Sequence, residues 1–180
     1  MHTKKGDDPF VHYAWSQGHT VTAIDIVPDA LAELRRKFGE DADWSVVPSE
    51  SSNTKKWQHK SGRATLVEGD MLQKRIELNK SFDAIYDKDS FGALGLDMRS
   101  SFCTRLSEYI KDDGTVYIEV KNKEQGRENG PPFHVEKSDL MDSNNFATCF
   151  EYVSSLNEVY PLKISGMKQM GHILRRVVRR

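Results

Sequence analysis

No apolar run in these 180 residues approaches the roughly 20 that a membrane-crossing helix needs. The first residues, Met1-His2-Thr3-Lys4-Lys5-Gly6, carry no apolar core of the kind a secretion signal requires. Neither acid nor base dominates: the formal net charge is −1, so no global basic field points to nucleic acid or to a membrane surface. Cysteine is scarce. Cys103 falls in a helical pattern and Cys149 in a strand pattern, which reads as two buried free thiols in a reducing, cytoplasmic setting. No Cys/His group has metal-ligand spacing, so no metal is expected, and no internal repeat is present. The apolar share is 37 %, modest but that of a folded chain with a wet surface.

Against that background the most informative segment is Gly18-His19-Thr20-Val21-Thr22-Ala23-Ile24-Asp25-Ile26. Val21, Ala23, Ile24 and Ile26 give the apolar run of a buried parallel strand, and Pro28-Asp29 starts a helix directly after it. Phe10, Val11, Ala14 and Trp15 predict a short helix before it, capped by Gly18. Ala30, Leu31, Leu34 and Phe38 recur at helical spacing up to Gly39. Residues 49–62 are polar and rich in Ser and Lys, and read as a loop or hairpin tip. Ala64-Thr65-Leu66-Val67, Phe82-Asp83-Ala84-Ile85-Tyr86-Asp87 and Thr115-Val116-Tyr117-Ile118-Glu119-Val120 predict three further strands. A helix is expected over Met98–Ile110, stopped by Asp112-Asp113-Gly114, and a turn of helix over Ser138–Met141. Residues 121–132 read as a charged loop, and 146–153 and 171–178 as a closing pair of alternating strands. Strands alternating with helices imply an α/β fold: a Rossmann-like, doubly wound, mostly parallel sheet with an antiparallel C-terminal edge, in one domain over residues 1–180.

The first three strands each end in an acid: Asp25, Asp70 and Asp87. In a doubly wound sheet the carboxyl ends line one crevice, where carboxylates accept hydrogen bonds from ribose hydroxyls. Three acids suit the ribose, the adenine amino group and the amino-acid tail of S-adenosylmethionine. A dinucleotide would instead call for a phosphate cradle at a helix N-terminus. Strand ends also carry Asp simply because it suits turns and helix starts.

Four segments, in order, resemble the thiopurine S-methyltransferase family, which includes thiol and halide methyltransferases: residues 18–26, Phe82–Asp87, Ala93-Leu94 with Met98-Arg99, and Gly130-Pro131-Pro132-Phe133. The Gly-Pro-Pro-Phe tetrapeptide is the most specific. The resemblance, over about residues 6 to 178, implies an S-adenosylmethionine-dependent methyl transfer to the sulfur of a small molecule by a monomer, with neither nucleic acid nor membrane as partner. It implies that Gly6, Asp25, Ile26, Asp70, Met71, Asp87 and Lys88 hold the cofactor, and that Lys88, Pro132 and Phe133 hold a thiol or halide acceptor. Lys88 stands where the thiopurine enzymes have Arg, which keeps the charge but loses the planar fork; a solvated loop lysine is an equal reading. His134 and Asp89 are the candidate proton acceptors, although a readily ionised thiol needs none. Tyr86 and Phe133 suit packing on an aromatic acceptor or in the core.

The chain departs from the family at its start. Lys5-Gly6-Asp7-Asp8 reads as the tail of the family's Gly-rich turn, residues 1–8 forming its remnant, and the apolar first strand expected before it is missing. In the family that strand lies between those ending at Asp25 and Asp87. Its loss leaves two strand edges or brings the two strands together. The chain is therefore expected to be an N-terminally truncated form of an enzyme, or else an inactive Rossmann-like remnant that binds a protein through its sheet edge. A nicotinamide-dependent reductase is disfavoured because no complete Gly-x-Gly-x-x-Gly is present. The closing run Arg175-Arg176-Val177-Val178-Arg179-Arg180 reads as an edge strand rather than a nucleic-acid patch.

Overall fold

A computed structural model describes residues 8–48 and 54–178. The chain forms two compact units, residues 1–73 and 74–180, each with its own four-stranded sheet. No helix among the described residues is long and apolar enough to cross a membrane.

In the first unit, α1 (Phe10–Ser16) leads through Gly18, at φ +96°, into β1 (Val21–Asp25) and then α2 (Pro28–Lys37). Pro28 opens α2, with Asp29 in its first turn and Arg35, Arg36 and Lys37 in its last, in accord with the helix dipole. Next come β2 (Trp44–Val47), β3 (Lys55–His59) and β4 (Ala64–Glu68), in the sheet order β1-β4-β3-β2. Leu31, Leu34, Phe38, Trp57, Ala64 and Leu66 form the core, flanked by Val11, Trp15, Val21, Ala23 and Trp44. Of the loop or hairpin tip expected over residues 49–62 the hairpin holds, but part of it is strand: Lys55-Lys56-Trp57-Gln58-His59 buries Trp57 and His59 and leaves Lys55 exposed. The many polar residues masked that alternation, while residues 49–53 lie outside the described part.

In the second unit, β5 (Phe82–Lys88) is followed by α3 (Ser90–Ala93), α4 (Leu96–Tyr109), β6 (Ile110–Lys123), α5 (Lys137–Leu140), β7 (Phe150–Tyr160) and β8 (Met167–Arg176). The sheet order is β5-β6-β8-β7. Phe91, Phe102, Leu106, Val116, Ile118, Val120, Phe146, Phe150 and Leu174 fill the core, each no more than 3 % exposed. Helix α4 stops at Tyr109, ahead of Asp112-Asp113-Gly114, where Asp113 adopts φ 61°.

Three expectations need correction. The strand pairings are not mostly parallel: β1·β4 and β5·β6 are, whereas β2·β3, β3·β4, β6·β8 and β7·β8 are antiparallel. The β2–β3 hairpin supplies two of those antiparallel pairings and the long return of β8 the others. Residues 146–148 are a 3-10 turn, so the closing pair is Phe150–Tyr160 with Met167–Arg176, shifted and longer than expected. Cys149 precedes β7 and is half-buried; Cys103 is buried on α4 as expected, and both thiols are free. Strands β1 and β5 each end a sheet and are paired in parallel with one neighbour.

Candidate active site

Parallel pairing of β1 and β4 brings two predicted acids to the same end of the first unit. The register sets Asp25 opposite Glu68, and the Gly69 N–H donates to Asp25 O at 3.0 Å. Asp25 Oδ1 accepts the Val27 N–H at 2.9 Å, which closes the turn into α2. Its second oxygen has no partner among the described residues and is available to a hydroxyl pair. Asp70, just beyond β4, turns the chain by accepting the Leu72 N–H at 2.8 Å, and Met71 beside it is half-buried. Ile26 follows Asp25 at 66 % exposed, a large apolar side chain left in water at the strand end. A carboxylate with an open oxygen, a second acid on the neighbouring strand end and an uncovered apolar surface fit a ribose and an adenine ring. Gly6 lies outside the described residues.

The second unit carries the other candidates. Asp87 is 6 % exposed and holds the start of α3, accepting the Phe91 N–H at 3.1 Å on Oδ2 as well as contacts from Ser90. Burial pushes its carboxyl up to about 6, against those hydrogen bonds; the nearby charge of Asp89 acts in the same direction as burial. Asp87 is thus committed to the chain that follows it. Lys88 is half-buried, with Nζ 5.2 Å from the centre of the Tyr160 ring. Burial raises the Tyr160 hydroxyl above its usual range, and Lys88 opposes that shift.

Asp89 takes a left-handed conformation, φ 66°, between β5 and α3. A non-glycine residue in that region is held there by its surroundings, and here they are a buried polar network that no sequence signal isolates. Gln169 of β8, fully buried, donates from Nε2 to Asp89 Oδ1 at 3.0 Å and to Glu119 Oε2 at 3.3 Å. Lys121 Nζ lies 3.0 Å from Asp89 Oδ2 and also donates to Gln169 Oε1. Tyr117 and Tyr86, stacked at 5.3 Å, donate their hydroxyls to Glu119 Oε1 at 2.7 and 3.3 Å. The period-two alternation of β6 could have set Tyr117, Glu119 and Lys121 on one face; Gln169 carried no signal. With one carboxylate oxygen on an amide and the other on an ammonium, Asp89 is poorly set to take a proton.

The Gly-Pro-Pro-Phe loop, with cis peptides at Gly130-Pro131 and Pro131-Pro132, packs on α3. The Phe133 N–H donates to Gly92 O at 2.7 Å. A Cβ at Gly130 would lie 2.4–2.6 Å from the Phe133 ring, so only glycine fits beneath it. Pro132 and Phe133 are half-buried. His134 Nδ1 accepts the Lys123 N–H at 2.9 Å, and Nε2 lies 3.0 Å from Glu136 Oε1. Only Nδ1 makes a hydrogen bond; Nε2 is buried without one among the described residues.

The fold of the whole described chain is that of known methyltransferases. It superimposes on a Burkholderia thailandensis 1,6-didemethyltoxoflavin-N1-methyltransferase, crystallised with its substrate and S-adenosylhomocysteine, at a TM-score of 0.65 and 19 % identity, over 97 % of this chain and 68 % of that one. A SAM-dependent methyltransferase from Methanosarcina mazei gives a TM-score of 0.68 and 14 % identity, over 97 % of this chain and 89 % of that one. These likenesses define the class, an α/β methyltransferase fold. The sequence narrows it: residues 10–178 match the thiopurine S-methyltransferase (TPMT) family, and the chain belongs to that family, whose methyl donor is S-adenosylmethionine. A thiopurine S-methyltransferase of Legionella pneumophila (strain Philadelphia 1) is 20 % identical over 143 residues, 79 % of this chain. The chain spans 62 % of that relative's length.

Proposed function

We propose that this chain binds S-adenosylmethionine and transfers its methyl group to the sulfur of a small thiol. One observation supports the reading: Asp25, with a carboxylate oxygen unengaged among the described residues, and Asp70 stand at the carboxyl ends of neighbouring parallel strands, beside the exposed Ile26. Asp25 would accept the ribose hydroxyls, and Asp70 and Met71 would border the adenine. When bound, the cofactor supplies a methyl carbon already electrophilic through its sulfonium, so the residues around it mainly orient and desolvate the acceptor.

On the acceptor side Phe133 and Pro132 offer an apolar wall and Lys88 a cation that favours a thiolate over a thiol. Asp89 is engaged with Gln169 and Lys121, and His134 Nδ1, the nitrogen that could accept a proton, already accepts the Lys123 amide, so the acceptor sulfur is proposed to arrive ionised rather than to be deprotonated by either. A cytoplasmic monomer acting on a small molecule completes the reading. Titration calorimetry with S-adenosylhomocysteine tests it. Wild type is expected to bind in the micromolar range and Asp25→Ala to lose at least tenfold, about the worth of one hydrogen bond to a charged acceptor. Equal binding by a folded Asp25→Ala variant, or none by wild type, overturns it.

A further inference from the structure

The two thiols of the chain, far apart in sequence, meet at one cavity of the second unit. Cys103 of α4 and Cys149, in the turn before β7, both line a cavity of about 260 Å³. They are close enough for the charge of one sulfur to act on the other. Cys103 is buried and Cys149 half-buried. The other lining side chains are uncharged Ser, Thr and Asn, and Ser100, Thr104, Asn144 and Thr148 among them are exposed, so the cavity opens to water. One guanidinium ties the two backbones together. Arg176 donates from Nε to Ser107 O at 3.4 Å and from Nη1 to Cys149 O at 2.8 Å, and Ser107 lies one turn beyond Cys103 on the same face of α4. The Cys149 N–H donates to Phe146 O at 3.0 Å, and Cys149 O accepts the Val177 N–H at 3.0 Å, which fixes the turn that carries the thiol. Neither thiol takes part in the cofactor or acceptor contacts proposed above.

We infer that Cys103 and Cys149 form a reversible redox pair, closed into a disulfide by a hydroperoxide that enters this cavity. Hydrogen peroxide is small, neutral and hydrogen-bonds as water does, which suits an uncharged polar wall. Cys149, the less buried sulfur, reacts first. As the thiolate it attacks one peroxide oxygen; the O–O bond breaks, an S–O bond forms, and Cys149 becomes a sulfenic acid while water leaves with the proton. The Cys103 sulfur then attacks the Cys149 sulfur. The S–S bond forms, the S–O bond breaks, and hydroxide departs with the Cys103 proton as a second water. Two thiols are oxidised by two electrons and one peroxide is reduced to two waters. Burial, and after it the charge of Asp87, pushes the Cys103 thiol up from its usual range, so the second step is the slower one. The bridge ties α4 to the start of β7 and encloses β6, the Gly-Pro-Pro-Phe loop and α5 in one covalent loop. A cross-link over so long a loop restricts the unfolded chain and stabilises the folded one. None of this depends on the methyl-transfer reading.

Hydrogen peroxide in slight excess over protein is the probe. Folded wild type is treated, denatured, blocked with a maleimide and mapped by peptide mass. A Cys103–Cys149 peptide pair within one chain is expected, with an intact mass lower by two hydrogens, and dithiothreitol should return both thiols. Oxidised wild type is expected to unfold at a higher urea concentration than the reduced protein. Cys103→Ser, which lacks the second sulfur, should hold Cys149 as a sulfenic acid that dimedone captures. The inference is overturned if neither cysteine is oxidised, if Cys149 is oxidised while Cys103 stays a thiol, or if the bridge forms only between chains. A bridge that lowers the urea midpoint overturns it too, because the fold then does not accommodate the bond, as does folded Cys103→Ser that gives dimedone nothing to capture. Should Cys103→Ser fail to fold, as judged by circular dichroism, the peptide pair and the urea midpoint of wild type decide.

Discussion

Asp87→Asn is expected to stabilise the protein at neutral pH and to destabilise it by about 1–2 kcal/mol in acid. The buried Asp87 carboxyl has a pKa of about 6 in the folded chain, against 3.8 ordinarily. The folded state therefore holds the proton more tightly than the unfolded one. Stability from this group is fully present below about pH 3.8 and is lost as pH rises through the window up to about 6. The shift of roughly two units corresponds to about 3 kcal/mol forfeited at neutral pH. The amide keeps an oxygen for the Phe91 N–H but brings an NH2 group that needs an acceptor of its own. The net gain of the variant above pH 7 is thus about 1–2 kcal/mol. Urea unfolding of both proteins should be followed by far-ultraviolet circular dichroism, because all three tryptophans, Trp15, Trp44 and Trp57, lie in the first unit and fluorescence would miss the second. The difference in unfolding free energy between variant and wild type should move in the variant's favour by about 2 kcal/mol between pH 4 and pH 7.5. A difference that stays flat across that range refutes the claim that desolvation outweighs the hydrogen bonds at Asp87.

Other substitutions probe the acceptor loop and the polar network. Gly130→Ala drives a Cβ into the Phe133 ring and is expected to cost about 1–3 kcal/mol by urea titration. Gln169→Leu removes the amide joining Asp89, Glu119 and Lys121 and leaves buried acceptors unmet. A loss of about 2 kcal/mol or more is expected in the same titration, and a neutral result would mean that water replaces the amide.

Much of the candidate site was legible because a short apolar strand ending in an acid is a local pattern. Asp25, Asp70 and Asp87 all fall at or just beyond strand ends, where the alternation of strands and helices predicted them. Local pattern did not tell that Asp25 keeps an open oxygen while Asp87 spends its carboxylate on Phe91 and Ser90. Those fates depend on which helix start folds back onto each strand end. His134 and Asp89 looked equally able to take a proton, and only packing set the Lys123 amide and Glu136 on one, Gln169 and Lys121 on the other. Strand β3 of the hairpin went unread because its buried members, Trp57 and His59, sit among lysines and glutamine. Strand β7 was misplaced because Phe146 and Phe150 both face the core, one from a 3-10 turn and the other from the strand.

By itself the sequence determined the fold class, the family and the positions of the acids. Each rests on residues near one another in the chain: β-branched runs, helix starts and the Gly-Pro-Pro-Phe turn. The tertiary structure alone decided the antiparallel majority in the two sheets and the network around Gln169. These arise between residues far apart in sequence, such as Asp89 and Gln169, where burial strips away water and leaves each polar group to whatever partner packing brings within reach.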